Sequence, residues 1–400
     1  MAIASGAQHQ IYHVKEAVIN TDPGTAYSTD RFLAGARLYN EAQSFQSAEL
    51  RADRSVAPGI LGAKHAKGTF PFELSFGTHE DWIESVMCNP WVAAGTPVTG
   101  QSVTVVAGTT NTMAATAIGT GLAVGDWIKV SGFTGAYVYN NGYFRVTTQA
   151  TGTITLAEAV NADGTSRLAA ASAQTGISVT KMSYIVAGIV EKSLSVEDAQ
   201  ADVNVFQRAI GFEVNQMSLA IQQGGVVTGS FDGIAFSLPA PAAVKYRTGS
   251  DVAATTSEPF VAYNALSFLY IDGVPSAVVT ALSLQLANGM EDFIGAFQTV
   301  AYDILLGRST LTGSMTLAFT SGAMLTKAFN NTHIALRVQM LNAAQTSGYV
   351  IDIPNIRLDM PTDDIQENKR LHTFSWTAEK DTTAGTLAAG VVNMKISKLA

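Results

Sequence analysis

A single cysteine, Cys88, stands in the 400 residues. It leaves no intrachain disulfide and no thiolate cluster for zinc. Its place behind the apolar stripe Trp82, Ile83, Val86 and Met87 reads as a buried, reduced thiol. Charge is scarce too. Only 14% of residues are charged and the net charge is -8. That balance excludes a surface gripping phosphates through many Lys and Arg side chains, but not one past which nucleic acid slides. No apolar run approaches the roughly eighteen residues of a membrane helix, and residues 1–15 lack the basic-then-apolar order of an export signal. A chain made in the cytoplasm, with no membrane partner, is the expectation.

Motifs that carry chemistry are also missing. Residues 62–69 lack the Gly-Lys-Thr order of a phosphate loop, and there is no Gly-x-Ser-x-Gly elbow. Only His9 and His13 stand four apart among six histidines, in a polar lead-in without a visible carboxylate shell. Glu80 and Asp81 suit the first turn of a helix capped by Thr78, where negative charge complements the dipole. Asp363 and Asp364 read as a solvated or interface loop rather than a calcium site. No catalytic residue, cofactor or metal is expected.

What is present is a repeat. Phe70 to Phe76 alternates as a strand and leads through Gly77 and Thr78 into a helix with Trp82, Ile83, Val86 and Met87. Met315 to Phe319 does the same, through Thr320 and Ser321, into a helix with Met324, Leu325, Ala328 and Phe329. Leu74 and Phe76 match Leu317 and Phe319 at an offset of 243, and the helical positions match at 242. Both copies switch from period two to a helical stripe. Further strands follow each helix, with Glu197 and Asp198 in an acidic loop that corresponds to Asp363 and Asp364.

The spacing predicts a mainly β chain of two tandem β domains, each with a flanking helix, plus a small inserted all-β domain. The first domain spans 1–96 and 181–245, opening on a polar arm and containing a strand near Ala48, Glu49 and Leu50. Residues 97–180 carry short alternating runs such as Thr153 to Leu156, separated by Asn141-Gly142 and similar turns. They predict an inserted barrel or sandwich displayed outward. The second domain spans 246–400, after a Pro-rich joint from Pro239 to Pro259.

With both copies laid out, the chain resembles the tail tube proteins (major tail proteins) of long-tailed bacteriophages. The features that match are the strand Phe72 to Phe76 with its helix, the run Ala209 to Leu219, and the texture of Thr228-Gly229-Ser230-Phe231 echoed at Thr312-Gly313-Ser314-Met315. The insert with Gly125-Asp126-Trp127 looks like the accessory domains of such tubes. The resemblance implies a structural virion protein whose sandwiches stack in rings of six folds around a DNA conduit. A chain holding two folds would then form a trimeric, pseudo-hexameric ring. It also implies a tape measure protein inside, terminator and tip proteins at the ends, and double-stranded DNA passing without specific binding.

Ring stacking in that family uses a long loop between two strands. The corresponding segments are 51–67, with Arg51, Asp53 and Arg54, and 288–306, with Met290, Phe293, Ile294 and Phe297. Candidate lumen carboxylates are Glu49, Asp53, Glu73, Glu291 and Asp292. Core packing is expected of Phe72, Phe76, Trp82, Val86, Leu317, Phe319, Leu325 and Phe329. Two other readings stay open: a capsid-decorating or baseplate protein, and a carbohydrate-binding, adhesin-like module whose Trp127, Tyr137, Tyr139 and Tyr143 stack on sugars. An outer-membrane porin is disfavoured by the missing signal peptide and the helices.

Overall fold

A computed structural model describes residues 5–49, 55, 56, 58–108, 110–157, 166–262, 267–276, 278–366, 368–380 and 393–400. It is mainly β, with two layers of antiparallel strands, two short helices and a separate closed barrel. One layer is a continuous sheet of eight strand positions. Their order is Arg37–Phe45, Ile60–Glu73, Thr228–Ala235, the second half of Val205–Gln222, Val279–Ala287, Thr310–Ala318, Lys369–Ala378, and last residues 356–358 continued by Thr362–Gln366. The first four positions come from the first half of the chain and the last four from the second. In each half the strand that precedes the helix stands second.

Alternation decides the faces. Along Ile60–Glu73, Ala66, Phe70 and Phe72 are buried, while His65, Lys67, Thr69 and Glu73 alternate with them. The second layer holds His9–Lys15, Leu194–Gln200 and the first half of Val205–Gln222. A second group over the other half comprises Phe268–Ile271, Ile334–Leu341, the first part of Gly348–Leu358 and Lys395–Leu399, joined by Ser183–Val186 of the first half. Val205–Gln222 passes from one layer to the other at Gly211, whose φ of +62° suits glycine and whose missing Cβ leaves room for the Phe236 ring.

Between the layers lies one core that runs through both halves. Helix α1 (Glu80–Met87) sits within it, and Trp82 meets Phe70 at 4.7 Å and Phe32 at 5.0 Å between ring centroids. Each such ring contributes about 1.5–3 kcal/mol by burial. Flat rings over a sheet need absent side chains beneath them. A Cβ on Gly313 would overlap the Trp376 ring and the Ser283 carbonyl. Helix α2 (Ala323–Phe329) is shorter and buries only Ala328.

Several expectations need correction. No strand forms at Ala48 and Glu49; Arg37–Phe45 takes that role, and the lead-in holds His9–Lys15. Residues 60–67 of the anticipated loop belong to the strand Ile60–Glu73. Glu197 and Asp198 lie within Leu194–Gln200, where Glu197 is fully buried and pairs with Arg247. Asp363 and Asp364 lie within Thr362–Gln366. Thr78 does not cap α1: its hydroxyl hydrogen-bonds Ser75 and Thr255 instead. Phe329 and Phe319 are 80% and 39% exposed: α2 is only about two turns long and turns Ala328 rather than Phe329 inward. Phe72, Trp82, Val86 and Leu317 are buried, and Phe76 and Leu325 pack partly against the core.

Carboxylates do surround His13. Its Nδ1 stands 2.8 Å from Asp30 and its Nε2 3.2 Å from Asp81, while Trp82 Nε1 donates to Asp30 at 3.2 Å. Burial alone would lower the His13 pKa, but the two carboxylates outweigh it and hold it at about 10. A histidine raised in the folded state stabilises most below its free value of about 6.5, and the contribution is lost as pH rises toward 10. His13→Gln should therefore cost about 3–5 kcal/mol at pH 6. In urea titrations the gap between wild type and variant should narrow steadily up to pH 10. A gap independent of pH would contradict a charged His13.

The barrel closes in the order Ala171–Lys181, Val98–Val106, Thr112–Ala114, Thr153–Ala157, Gly142–Ala150, Trp127–Ser131. It has its own core, but it does not hang free. Trp127, Tyr143 and Met182 pack on Leu341, Val350 and Leu399 of the second half. Trp127 Nε1 donates to Asp352 at 2.9 Å, and Tyr143 donates its hydroxyl proton to the Thr346 carbonyl at 2.5 Å. Asp352 also meets Arg337 at 2.6 Å, and buried Lys395 donates to the Gly125 carbonyl at 3.0 Å. Removing one member of a buried charge network strands the others. Asp352→Ala should lower unfolding stability by about 3–5 kcal/mol, whereas Trp127→Phe, losing one N–H, should cost about 1–3 kcal/mol. Wild-type stability in both variants would mean the network does not hold the barrel.

Candidate functional site

Two features of the eight-strand sheet stand out as surfaces for assembly: its open face and its two unpaired edges. The face turned away from the core is lined mostly by small neutral side chains about the joint between the two halves. Ser283 and Ser314 hydrogen-bond across strands at 2.8 Å, and Thr316 and Thr373 at 2.9 Å. Ser218, Ala220, Ser230, Gln285, Thr312, Ser375 and Thr377 continue it as a shallow depression. The pattern follows from Thr310–Ala318, whose alternate positions Thr310, Thr312, Ser314 and Thr316 hydrogen-bond readily and carry no charge. That alternation of small hydroxyl side chains is the signal of this face in the sequence.

Charge on this face is sparse and largely compensated: in the second half Asp359 borders the depression, and Arg357, in register with Thr377, pairs with Glu379 at 3.2 Å. Lys67 Nζ lies 2.7 Å from Glu41, and Thr69 hydrogen-bonds Asp232. The Lys67 ammonium thus has a nearby carboxylate competing for it. Of the candidate lumen residues, Glu73 ends a strand on this face, Glu49 is exposed in the connection after Phe45, and Asp53 lies outside the described residues. Glu291 is exposed, and Asp292 accepts a 2.6 Å hydrogen bond from His65 Nδ1. The four described carboxylates are therefore not gathered at one place.

The edges are the other feature. Among the described residues, no strand pairs with the outer side of Arg37–Phe45 or of Thr362–Gln366. Phe319 N–H donates to Arg370 O and Asp359 N–H donates to Ser375 O. By alternation, Thr362 and Asp364 bond inward to Lys369–Ala378, so Asp363 and Ile365 aim their backbone groups outward. Leu38 N–H is covered by Asp198 at 3.4 Å.

At one end of the sheet, hairpins extend beyond it. Glu291–Phe293 pairs with Asp303–Leu305, and Lys64 N–H donates to Thr299 O at 3.1 Å, tying this hairpin to Ile60–Glu73. Met290 is buried with Cys88, Ile234, Phe236 and Ile304, which anchors the base. Burial pushes the Cys88 thiol up to about 12, so it stays protonated. Ile294 is half-buried, whereas Phe293, Phe297 and Tyr302 are exposed. Arg51 and Arg54 lie outside the described residues. Phe45, Ile60 and Leu61 add exposed apolar surface on the neighbouring hairpin, a combination expected of contact surfaces.

No metal-binding cluster of His, Cys, Asp or Glu occurs among the described residues, and no helix there is long and apolar enough to cross a membrane. No curated protein matches the sequence. A family model described as phage tail tube protein matches residues 6–378, which takes in both half-sheets and the barrel. By that match the chain belongs to the phage tail tube protein family, and is a structural protein of the virion tail.

Proposed function

We propose that three copies of this chain close their eight-strand sheets edge to edge into a ring, and that stacked rings form the tube through which DNA leaves the virion. The observation that carries this is the joint inside the chain. Residues 216–222 of one half-sheet pair with residues 281–287 of the other, antiparallel and without a break. Each half thus already joins a neighbouring copy of the same arrangement through its fourth and first strands. The remaining fourth strand, Thr362–Gln366, and the remaining first strand, Arg37–Phe45, are what a second chain would meet. Closure removes the exposed edges, which are otherwise templates for uncontrolled pairing.

On this reading the open face lines the channel. Ser and Thr side chains bonded to one another, with few free cations, give phosphates little to hold, so double-stranded DNA slides rather than binds. Glu73 adds repulsion at the rim. The tape measure protein would occupy this lumen before ejection, with terminator and tip proteins at the tube ends. The function is mechanical, and no catalysis is assigned. The two tandem folds and the barrel divide the labour: the sheet makes the wall, and the barrel is carried outside it. Trp127 and Tyr143 are buried against the second half, so a sugar-stacking role finds only Tyr139 exposed.

Ile365→Pro tests the edge. It removes an outward N–H while leaving the inward ladder intact. The variant should be a folded protomer that forms neither rings nor tubes by electron microscopy, while Ile365→Thr assembles normally. Tubes from Ile365→Pro would rule this edge out of the ring joint.

A further inference from the structure

The second half carries an apolar pocket at the end of the sheet opposite the hairpins. It has a volume of about 190 Å³ and is lined by Val274, Leu317, Phe319, Met324, Leu325 and Phe374, among others. The pocket sits where Thr310–Ala318 runs out into α2, whereas the hairpin springs from the other end of the same strand pair, next to Ala287 and Thr310. A nine-residue strand spans roughly 30 Å, so the two features face opposite ways along the strands.

The corresponding place in the first half is already filled. Ser75 bridges to Pro259, Phe260 N–H donates to Leu74 O at 2.8 Å, and the Thr78 hydroxyl meets that of Thr255 at 2.6 Å. Phe260 is 1% exposed there. Each chain therefore has one open socket, not two.

Each chain also has one unmatched aromatic at the hairpin tip. Phe297 is fully exposed, and its φ of +72° lies in the left-handed region. A bulky residue is strained in that conformation, and no burial among the described residues offsets it. The tip itself is held, since Gln298 N–H donates to Gly295 O and Tyr302 N–H donates to Phe293 O. A cavity of about 150 Å³ accommodates a benzene ring, so the pocket is large enough for this phenyl group. The ends also differ in charge: exposed Glu291 and Asp303 flank the hairpin, and the Arg370 guanidinium lies over the ring of the pocket residue Phe319, 4.9 Å from its centroid.

We propose that Phe297 of one copy inserts into this pocket of a second copy in the adjacent ring. The inference rests on the tube reading and names the surface that receives the stacking hairpin. The contact is head-to-tail, so it propagates along an axis rather than closing. With one knob and one socket per chain, ring stacking is threefold even though the sheet arrangement repeats six times around the channel.

Phe297→Cys combined with Met324→Cys tests it in assembled protein, because buried Cys88 does not compete. Oxidation of tubes should give a ladder of covalent head-to-tail oligomers on a non-reducing gel, absent from each single variant and from Phe297→Cys with Val244→Cys. Phe297→Ala should give intact rings whose stacking falls at least tenfold, with partial recovery in Phe297→Leu. Tubes that form but give no ladder overturn the socket and leave the tube reading standing. Wild-type protein that makes neither rings nor tubes overturns the tube reading, and the socket with it.

Discussion

Seven residues of Val205–Gln222 pair with seven of Val279–Ala287, and that joint makes one sheet of two. Its physical basis is the obligation of backbone N–H and C=O groups to find partners. At the internal joint each half supplies the edge the other lacks. At the two outer edges no strand among the described residues meets that obligation, and Leu38 N–H is covered by Asp198. The proposed ring, its order and the direction of its channel all follow from how those outer groups are satisfied.

The rest of the fold holds this sheet in one shape. Aromatic rings lie flat against it where glycines such as Gly313 admit them, so the core specifies both spacing and curvature. The His13, Asp30 and Asp81 cluster fastens the outer layer to α1 with a buried cation between two anions. The barrel is fastened by a second charged cluster around Asp352 and Lys395. Both are strong only while complete, which favours one arrangement of the layers over near alternatives. A docked barrel also means that cutting it out would bare Leu341, Val350 and Leu399, so it contributes to the stability of the second half as well as to its outer surface.

The mainly β class and the repeated strand-helix unit were legible because period two and the helical stripe are local signals. The buried Trp82 and Val86, and the strand about Leu317, follow from that same periodicity. Strand limits were less legible. Arg37–Phe45 mixes Arg, Asn, Glu and Gln with apolar residues because one face is open, so its composition looks like a polar arm. Glu197 looked like a loop residue because its partner Arg247 lies fifty residues away, a pairing that only the fold creates. The open face was hard to read for a related reason: Thr310, Thr312, Ser314 and Thr316 look unremarkable until the strand order brings them beside Ser283 and Thr373.

The central claim is that one chain supplies two neighbouring positions of a closed sheet. Native mass measurement of the smallest closed ring tests it most directly. The account predicts three copies of the chain per ring. A ring of six copies would contradict it, because the internal joint would then not stand in for a joint between chains.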